Sequence, residues 1–105
     1  MKNNIKYFKI ENLNYSGIKY GFFSRLGGYS DKKYTSLNCS LNSGDQKEKV
    51  LKNIDLTKKI LGLNHKKIKF LNQTHSNNVE LVNNQNFKNN IYADGSITVD
   101  KKICL

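Results

Sequence analysis

The sequence contains no proline and no tryptophan, two cysteines, two histidines and a single arginine, Arg25. Cys39 and Cys104 lie far apart and make no C-x-x-C pair, which excludes a disulfide-dense scaffold and a zinc knuckle. Reduced thiols are the expectation. No stretch approaches the roughly 18 consecutive apolar residues of a membrane span, and the opening MKNNIKYFKI lacks the continuous apolar segment of a signal peptide. These absences predict a soluble, cytoplasmic protein.

What the chain has in excess is lysine: the formal net charge is +10 at pH 7 on 105 residues, of which 37% are apolar. A basic surface attracts phosphate by steering and counterion release, so a small nucleic-acid binder is one reading. The lysines are scattered, however, and base readout or bidentate phosphate clamping favours Arg over Lys. Nucleic acid is therefore the unfavoured partner, and a solvated lysine surface accounts for the charge. Abundant Asn, Lys and Ile fit the codon bias of an AT-rich genome.

Length allows one domain, or part of one, with a single modest core. Residues 5–10 and 18–24 are predicted strands, the second because IKYGFFS is rich in aromatic and β-branched residues. ENLNYSG between them supplies turn formers, so a hairpin-like opening is expected. RLGGYSDKKYTSLN has paired glycines and no steady period, which predicts a structured loop. SGDQKEKVLKNIDLTKKILGL predicts a helix, with Asp45 and Glu48 as a capping box and Gly62 closing the far end. Val50, Leu51, Ile54, Ile60 and Leu61 are the predicted apolar face. IKFLN, VELV and SITV predict three further strands, and KKICL another at the terminus. The class is α+β, with a mixed or antiparallel sheet and one main amphipathic helix. An apolar strand at the terminus without its partner reads as an incomplete domain.

His75, in QTHSNN, is placed where a strand gives way to a turn. A neutral imidazole there suits zinc, with Gln73 or Ser76 fixing its tautomer, yet one histidine is not a site because catalytic zinc takes three protein ligands. Taken alone it reads more readily as a surface histidine or a hydrogen-bonded structural one. His65 follows the predicted helix and is assigned no catalytic part. Arg25 is the candidate anion binder, its planar fork suiting phosphate and the flanking glycines permitting backbone approach; an exposed loop arginine is the equal alternative. Ser36 and Asn38 are either turn-forming hydrogen bonders or substrate contacts, the turn role being favoured. Cys104, between Ile103 and Leu105, reads as a buried and inert strand cysteine. Asp94, in YADGS, is the one carboxylate placed in a turn near the candidate site.

The ordered series GFFSRLGGYS, YTSLN, GDQKEKVLKN, LGL, FLNQTHSNNV and ADGSITV resembles the YfiH family of laccase-domain proteins, once called multicopper polyphenol oxidases, from about residue 18 to the end. The resemblance implies a zinc-dependent enzyme of purine nucleoside metabolism, a phosphorylase of inosine, guanosine, adenosine or methylthioadenosine that also deaminates adenosine. It implies that His75 is the first metal ligand and belongs to the catalytic centre, and that Arg25, Ser36 and Asn38 line the substrate pocket. Zinc is the implied metal, with copper the second choice. Zinc would activate water for attack on C6 of adenine, and Arg25 would hold the phosphate that attacks the anomeric carbon. Purine nucleosides and phosphate are the implied small-molecule partners.

Two departures limit the resemblance. The family's remaining ligands come from T-A-D-C and H-A-G-W-R-G segments that this chain lacks, and Cys104 precedes the first of these by roughly ten residues. Asn53-Ile54 stands where the family often has N-R. The expectation is therefore that residues 1–105 are the N-terminal portion of a single YfiH-like domain, truncated before the remaining ligands and inactive alone. Whether the chain by itself is an enzyme stays open. The rival readings are a non-enzymatic module that pairs with a separate C-terminal fragment of the same domain, and the small basic nucleic-acid binder.

Overall fold

A computed structural model of the chain describes residues 4–13 and 16–105; of the predicted turn at 11–17, residues 14–15 lie outside the described residues. The chain divides into two units, one ending at Leu63 and one running Asn64–Leu105. Both expected element types are present, and the α+β class holds.

In the first unit, β1 (Tyr7–Phe8) pairs antiparallel with β2 (Phe22–Phe23) in the register Tyr7↔Phe23 and Phe8↔Phe22. Strand alternation puts Tyr7 and Phe23 on one face, where their rings stack at 5.3 Å. Phe8 and Phe22 share the other face and are exposed. The predicted hairpin-like opening is thus present, though only two residues of each predicted strand enter the ladder.

The helix α1 spans Lys47–Ile60 and buries Val50, Asn53, Ile54 and Leu56. Two residues of the predicted face, Leu51 and Ile60, are exposed instead. Leu51 is one residue, hence about 100°, past Val50 and outside the arc that Val50, Asn53 and Ile54 define. Ile60 lies in the final turn. The predicted capping box is also absent: Gln46 occupies the cap position and no side chain caps the helix. Asp45 is committed elsewhere, as described below, while Glu48 faces Lys52 at 3.6 Å in an exposed pair that adds little. At the far end the expectation holds. Gly62 adopts φ +71°, its N–H donates to the Lys59 carbonyl, and the Leu63 N–H donates to the Lys58 carbonyl at 2.7 Å. This is the double bond pattern of a Schellman closure, which needs a residue free to take a left-handed backbone.

The second unit is built from two parallel pairs. β3 (Lys67–Ile68) lies beside β6 (Ile103–Cys104), and β4 (Val79–Leu81) beside β5 (Gly95–Ile97). A further parallel bridge joins Asn72 and Tyr92. All four predicted strand regions are used, including the terminal one, but as two-residue and three-residue ladders. Parallel pairing requires a crossover of about a dozen residues or more, and residues 82–94 supply it between β4 and β5 without a helix. Instead, this crossover sends Val82, Ile91 and Ala93 inward to pack with Ile103, flanked by Leu71 and Phe87. Phe87 also carries the Lys67 ammonium over its ring at 4.2 Å, so this lysine covers apolar surface.

Candidate functional site

The candidate residues fall into one group in each unit. In the first, the RLGG turn and the segment 35–38 are laid against each other by backbone. The Arg25 carbonyl accepts from the N–H groups of Ser36 and Leu37, both at 2.9 Å, and from the Ser36 hydroxyl at 2.8 Å. The Ser36 hydroxyl in turn accepts from the Gly28 N–H at 3.0 Å. A Cβ at Gly28 would overlap the Ser36 carbonyl oxygen and the Leu37 Cα, so glycine is required for this approach. The Arg25 side chain is exposed, with no hydrogen bond or ion pair among the described residues.

Asn38 belongs to a second layer of the same loop. Its amide donates to the Ser43 hydroxyl at 2.8 Å and to Asp45 Oδ2 at 3.2 Å, and its side-chain oxygen accepts from the Ser40 N–H. Asp45 Oδ2 also accepts from the Ser30 hydroxyl at 2.6 Å, and Oδ1 from the Gln46 N–H at 2.7 Å. The Ser30 hydroxyl leads the causes that hold the Asp45 carboxyl below its ordinary value, followed by Asn38, the Gln46 N–H and the charge of Lys49, against the opposing effect of burial. The turn-forming role of Ser36 and Asn38 is therefore what the geometry displays.

The residue that joins loop to helix is Asn53, which is completely buried. Its side-chain oxygen accepts from the Tyr29 N–H at 2.7 Å, and its amide donates to the Ser30 hydroxyl at 3.0 Å and the Asn38 carbonyl at 2.8 Å. Hydrophobic periodicity passes over it because it counts only apolar residues. The available signal was its place three residues after Val50, inside the buried arc. Ser30 and Asp45, the other members of this network, were likewise missed as organisers.

In the second unit His75 occupies a turn with φ +57°, a left-handed conformation uncommon for a residue with a side chain. The turn is held by Asp94. Asp94 Oδ1 accepts from the N–H groups of Thr74 and His75 at 3.2 and 3.0 Å, and Oδ2 from the N–H and hydroxyl of Ser76 at 2.5 and 2.6 Å. The Asn78 carbonyl accepts from the N–H groups of Asp94 and Gly95, fixing the clamp where the chain enters β5. The Ser76 hydroxyl and N–H are the leading causes that hold the Asp94 carboxyl below its ordinary value; the N–H groups of His75 and Thr74 add to them, against some desolvation. The imidazole is exposed and has no hydrogen-bond partner among the described residues.

Among the described residues, no three His, Cys, Asp or Glu side chains come together in a way that could hold a metal ion. Asp94 is not a spare donor, because N–H and O–H groups already occupy its oxygens. Cys39 is half-buried, and burial pushes its thiol up, which keeps it protonated and unreactive. Cys104 is half-buried in β6 rather than fully enclosed. The residues present do not make up a zinc or copper site, since one imidazole falls short of the three or four donors required. No helix among the described residues is long and apolar enough to cross a membrane.

The Multi-copper polyphenol oxidoreductase laccase family matches residues 19–105. Among solved structures, the chain is similar to the Bacillus licheniformis hypothetical protein YfiH, with a TM-score of 0.67 and 25% identity, covering 81% of this chain and 36% of that one. It is also similar to the Neisseria meningitidis protein NMB0706, of the DUF152 family, with a TM-score of 0.60 and 30% identity, covering 77% of this chain and 32% of that one. The chain thus spans about a third of the length of the solved structures it matches. No curated protein matches it.

Proposed function

The chain belongs to the Multi-copper polyphenol oxidoreductase laccase family, and we propose that it forms the N-terminal part of a family domain that processes purine nucleosides, by phosphorolysis and by deamination of adenosine. The observation that carries this reading is the His75 turn. Asp94 holds the backbone of residues 74–76 in a turn where His75 takes a left-handed conformation, and the imidazole stays exposed and unengaged. A donor awaiting an ion gains from having its backbone fixed in advance.

In this reading His75 is one donor of a zinc site whose other donors are contributed by the rest of the domain, and zinc is preferred to copper. Arg25 binds phosphate through its free guanidinium, as a planar, permanently charged fork suits that anion. Ser36 and Asn38 shape the loop that presents Arg25, and reach substrate only through that loop. The chain alone is inactive because it lacks the other donors.

The test is an assay of the purified chain with zinc, phosphate and inosine or adenosine, alone and after co-expression with a polypeptide carrying the rest of a family domain. Turnover is expected only in the co-expressed sample, with at least a hundredfold loss on His75→Ala. Turnover by the chain alone, or a co-expressed sample indifferent to His75, would overturn the proposal.

A further inference from the structure

Arg25 presents its exposed guanidinium from a turn whose backbone is held on two sides. Residues 36 and 37 hold one side, through the hydrogen bonds to the Arg25 carbonyl described above. Residues near the start of the chain hold the other. The Ser24 N–H donates to the Lys6 carbonyl at 2.9 Å, which carries the β1–β2 register one step past Tyr7↔Phe23, to the residue just before Arg25. Two residues after Arg25, Gly27 lies directly against Ile5: a Cβ at Gly27 would stand 2.5 Å from the Ile5 N, 2.7 Å from its Cα and 2.7 Å from its Cγ1.

No side chain can swing aside to relieve that overlap, because two of the three atoms are backbone. Gly27 also takes φ +97°, a left-handed conformation that favours glycine. Two separate reasons thus require glycine here, and the first exists only because residue 5 comes so close. The same device recurs at the other end of β2. A Cβ at Gly21 would meet Tyr7 Cδ2 at 2.8 Å, so the ring that stacks on Phe23 also lies over a bare α-carbon. Glycines 21 and 27 therefore bracket residues 22–26 and admit residues 5–8 along them. A two-stranded ribbon on its own is marginal in water, so this close approach is what seats β1.

A turn free to move would have to be ordered each time its arginine met an anion, and that ordering weakens binding; a backbone fixed beforehand avoids the cost. We propose that Gly27, together with residues 5–8 that it admits, is a positioning element of the Arg25 anion site: it fixes the turn from which the guanidinium meets phosphate. The family match begins at residue 19, so β1 precedes it, and the proposal gives residues outside the match a part in the site. It rests on the reading of Arg25 as a phosphate binder, but not on zinc, on the nucleoside or on the reaction.

Arg25 is the sole arginine, so its Nε–H gives a single side-chain signal in the nitrogen-15-labelled full chain. The experiment titrates inorganic phosphate against that signal at constant ionic strength, with chloride as the control anion, for wild type, Gly27→Ala, Tyr7→Ala and Gly62→Ala. Tyr7→Ala loosens β1 without touching the turn, and it decides the matter if Gly27→Ala fails to fold. Gly62→Ala imposes left-handed strain at a position with open space around it, so it controls for lost stability alone. Wild type should saturate with phosphate and not with chloride. Gly27→Ala and Tyr7→Ala should raise the apparent dissociation constant about threefold or more, with faster motion of the Arg25 and Leu26 amides in nitrogen-15 relaxation, while Gly62→Ala keeps the wild-type constant. A wild-type signal that responds to phosphate no more than to chloride removes the anion reading, and the proposal with it. Wild-type constants in Gly27→Ala and Tyr7→Ala, or equal weakening by Gly62→Ala, overturn the positioning role alone and leave the anion reading standing.

Discussion

Replacing Asn53 by alanine is the most direct test of how the first unit is held together. The substitution removes three hydrogen bonds at once, to the Tyr29 N–H, the Ser30 hydroxyl and the Asn38 carbonyl, from a side chain with no exposed surface. A typical intramolecular hydrogen bond contributes about 1 kcal/mol net, so the three together are worth about 3 kcal/mol. That is a large part of the ~5–15 kcal/mol available to a small domain. The assay is urea unfolding followed by far-ultraviolet circular dichroism, to which α1 is the chief contributor. With a urea slope of about 1–3 kcal/mol/M, the midpoint should fall by roughly 1–3 M. Asn53→Leu separates bonding from packing: it refills the space, leaves the same three partners bare, and should be destabilised to a similar degree. If alanine costs less than about 0.5 kcal/mol, or leucine restores wild-type stability, the polar hub is not what joins loop to helix.

Two further predictions follow from the turn at His75 and from the glycines. The Asp94 carboxyl should titrate by nuclear magnetic resonance below an ordinary aspartate, and Ser76→Ala should move it up. Because its folded value is depressed, the stabilisation it gives is present above the unfolded value and is lost as pH falls through the folded one, so the Thr74, His75 and Ser76 amide signals should shift together on acidification. An Asp94 titration equal to that of the unfolded chain would remove the clamp. Gly28→Ala and Gly62→Ala should differ sharply in thermal unfolding. At Gly62 a Cβ has open space and only the left-handed backbone opposes it, a cost of about 1 kcal/mol. At Gly28 the new Cβ collides with the backbone of residues 36 and 37, and the loss should be well beyond that; equal losses would contradict the packing described for this loop.

The sequence was most readable where local chemistry decides structure. The helix body, its glycine closure and the approximate place of every strand follow from period and punctuation, because those signals act within a turn or two of the chain. The capping box failed for a nonlocal reason: Asp45 is drawn to Ser30 and Asn38, and the pull comes from a loop whose course the local pattern does not specify. Leu51 was placed inside because it is apolar, whereas the neighbours that would cover it are not on that side of α1. At the candidate site, QTHS marked the turn and YADGS the carboxylate, but their union through five hydrogen bonds depends on strands β4 and β5 being parallel. Ser36 and Asn38 were legible as loop residues, while Asn53 was hidden by its polarity among apolar neighbours.

The parallel pairing of β3 with β6 has a consequence for how the protein is made. Lys67 and Ile68 must wait for Ile103 and Cys104, so the whole of residues 69–102 is synthesised before β3 acquires its neighbour. At translation speeds of about 5–20 residues per second, that leaves the nascent strand edge unguarded for several seconds. During that interval Lys67 and Ile68 lack the neighbour that they have in the folded unit.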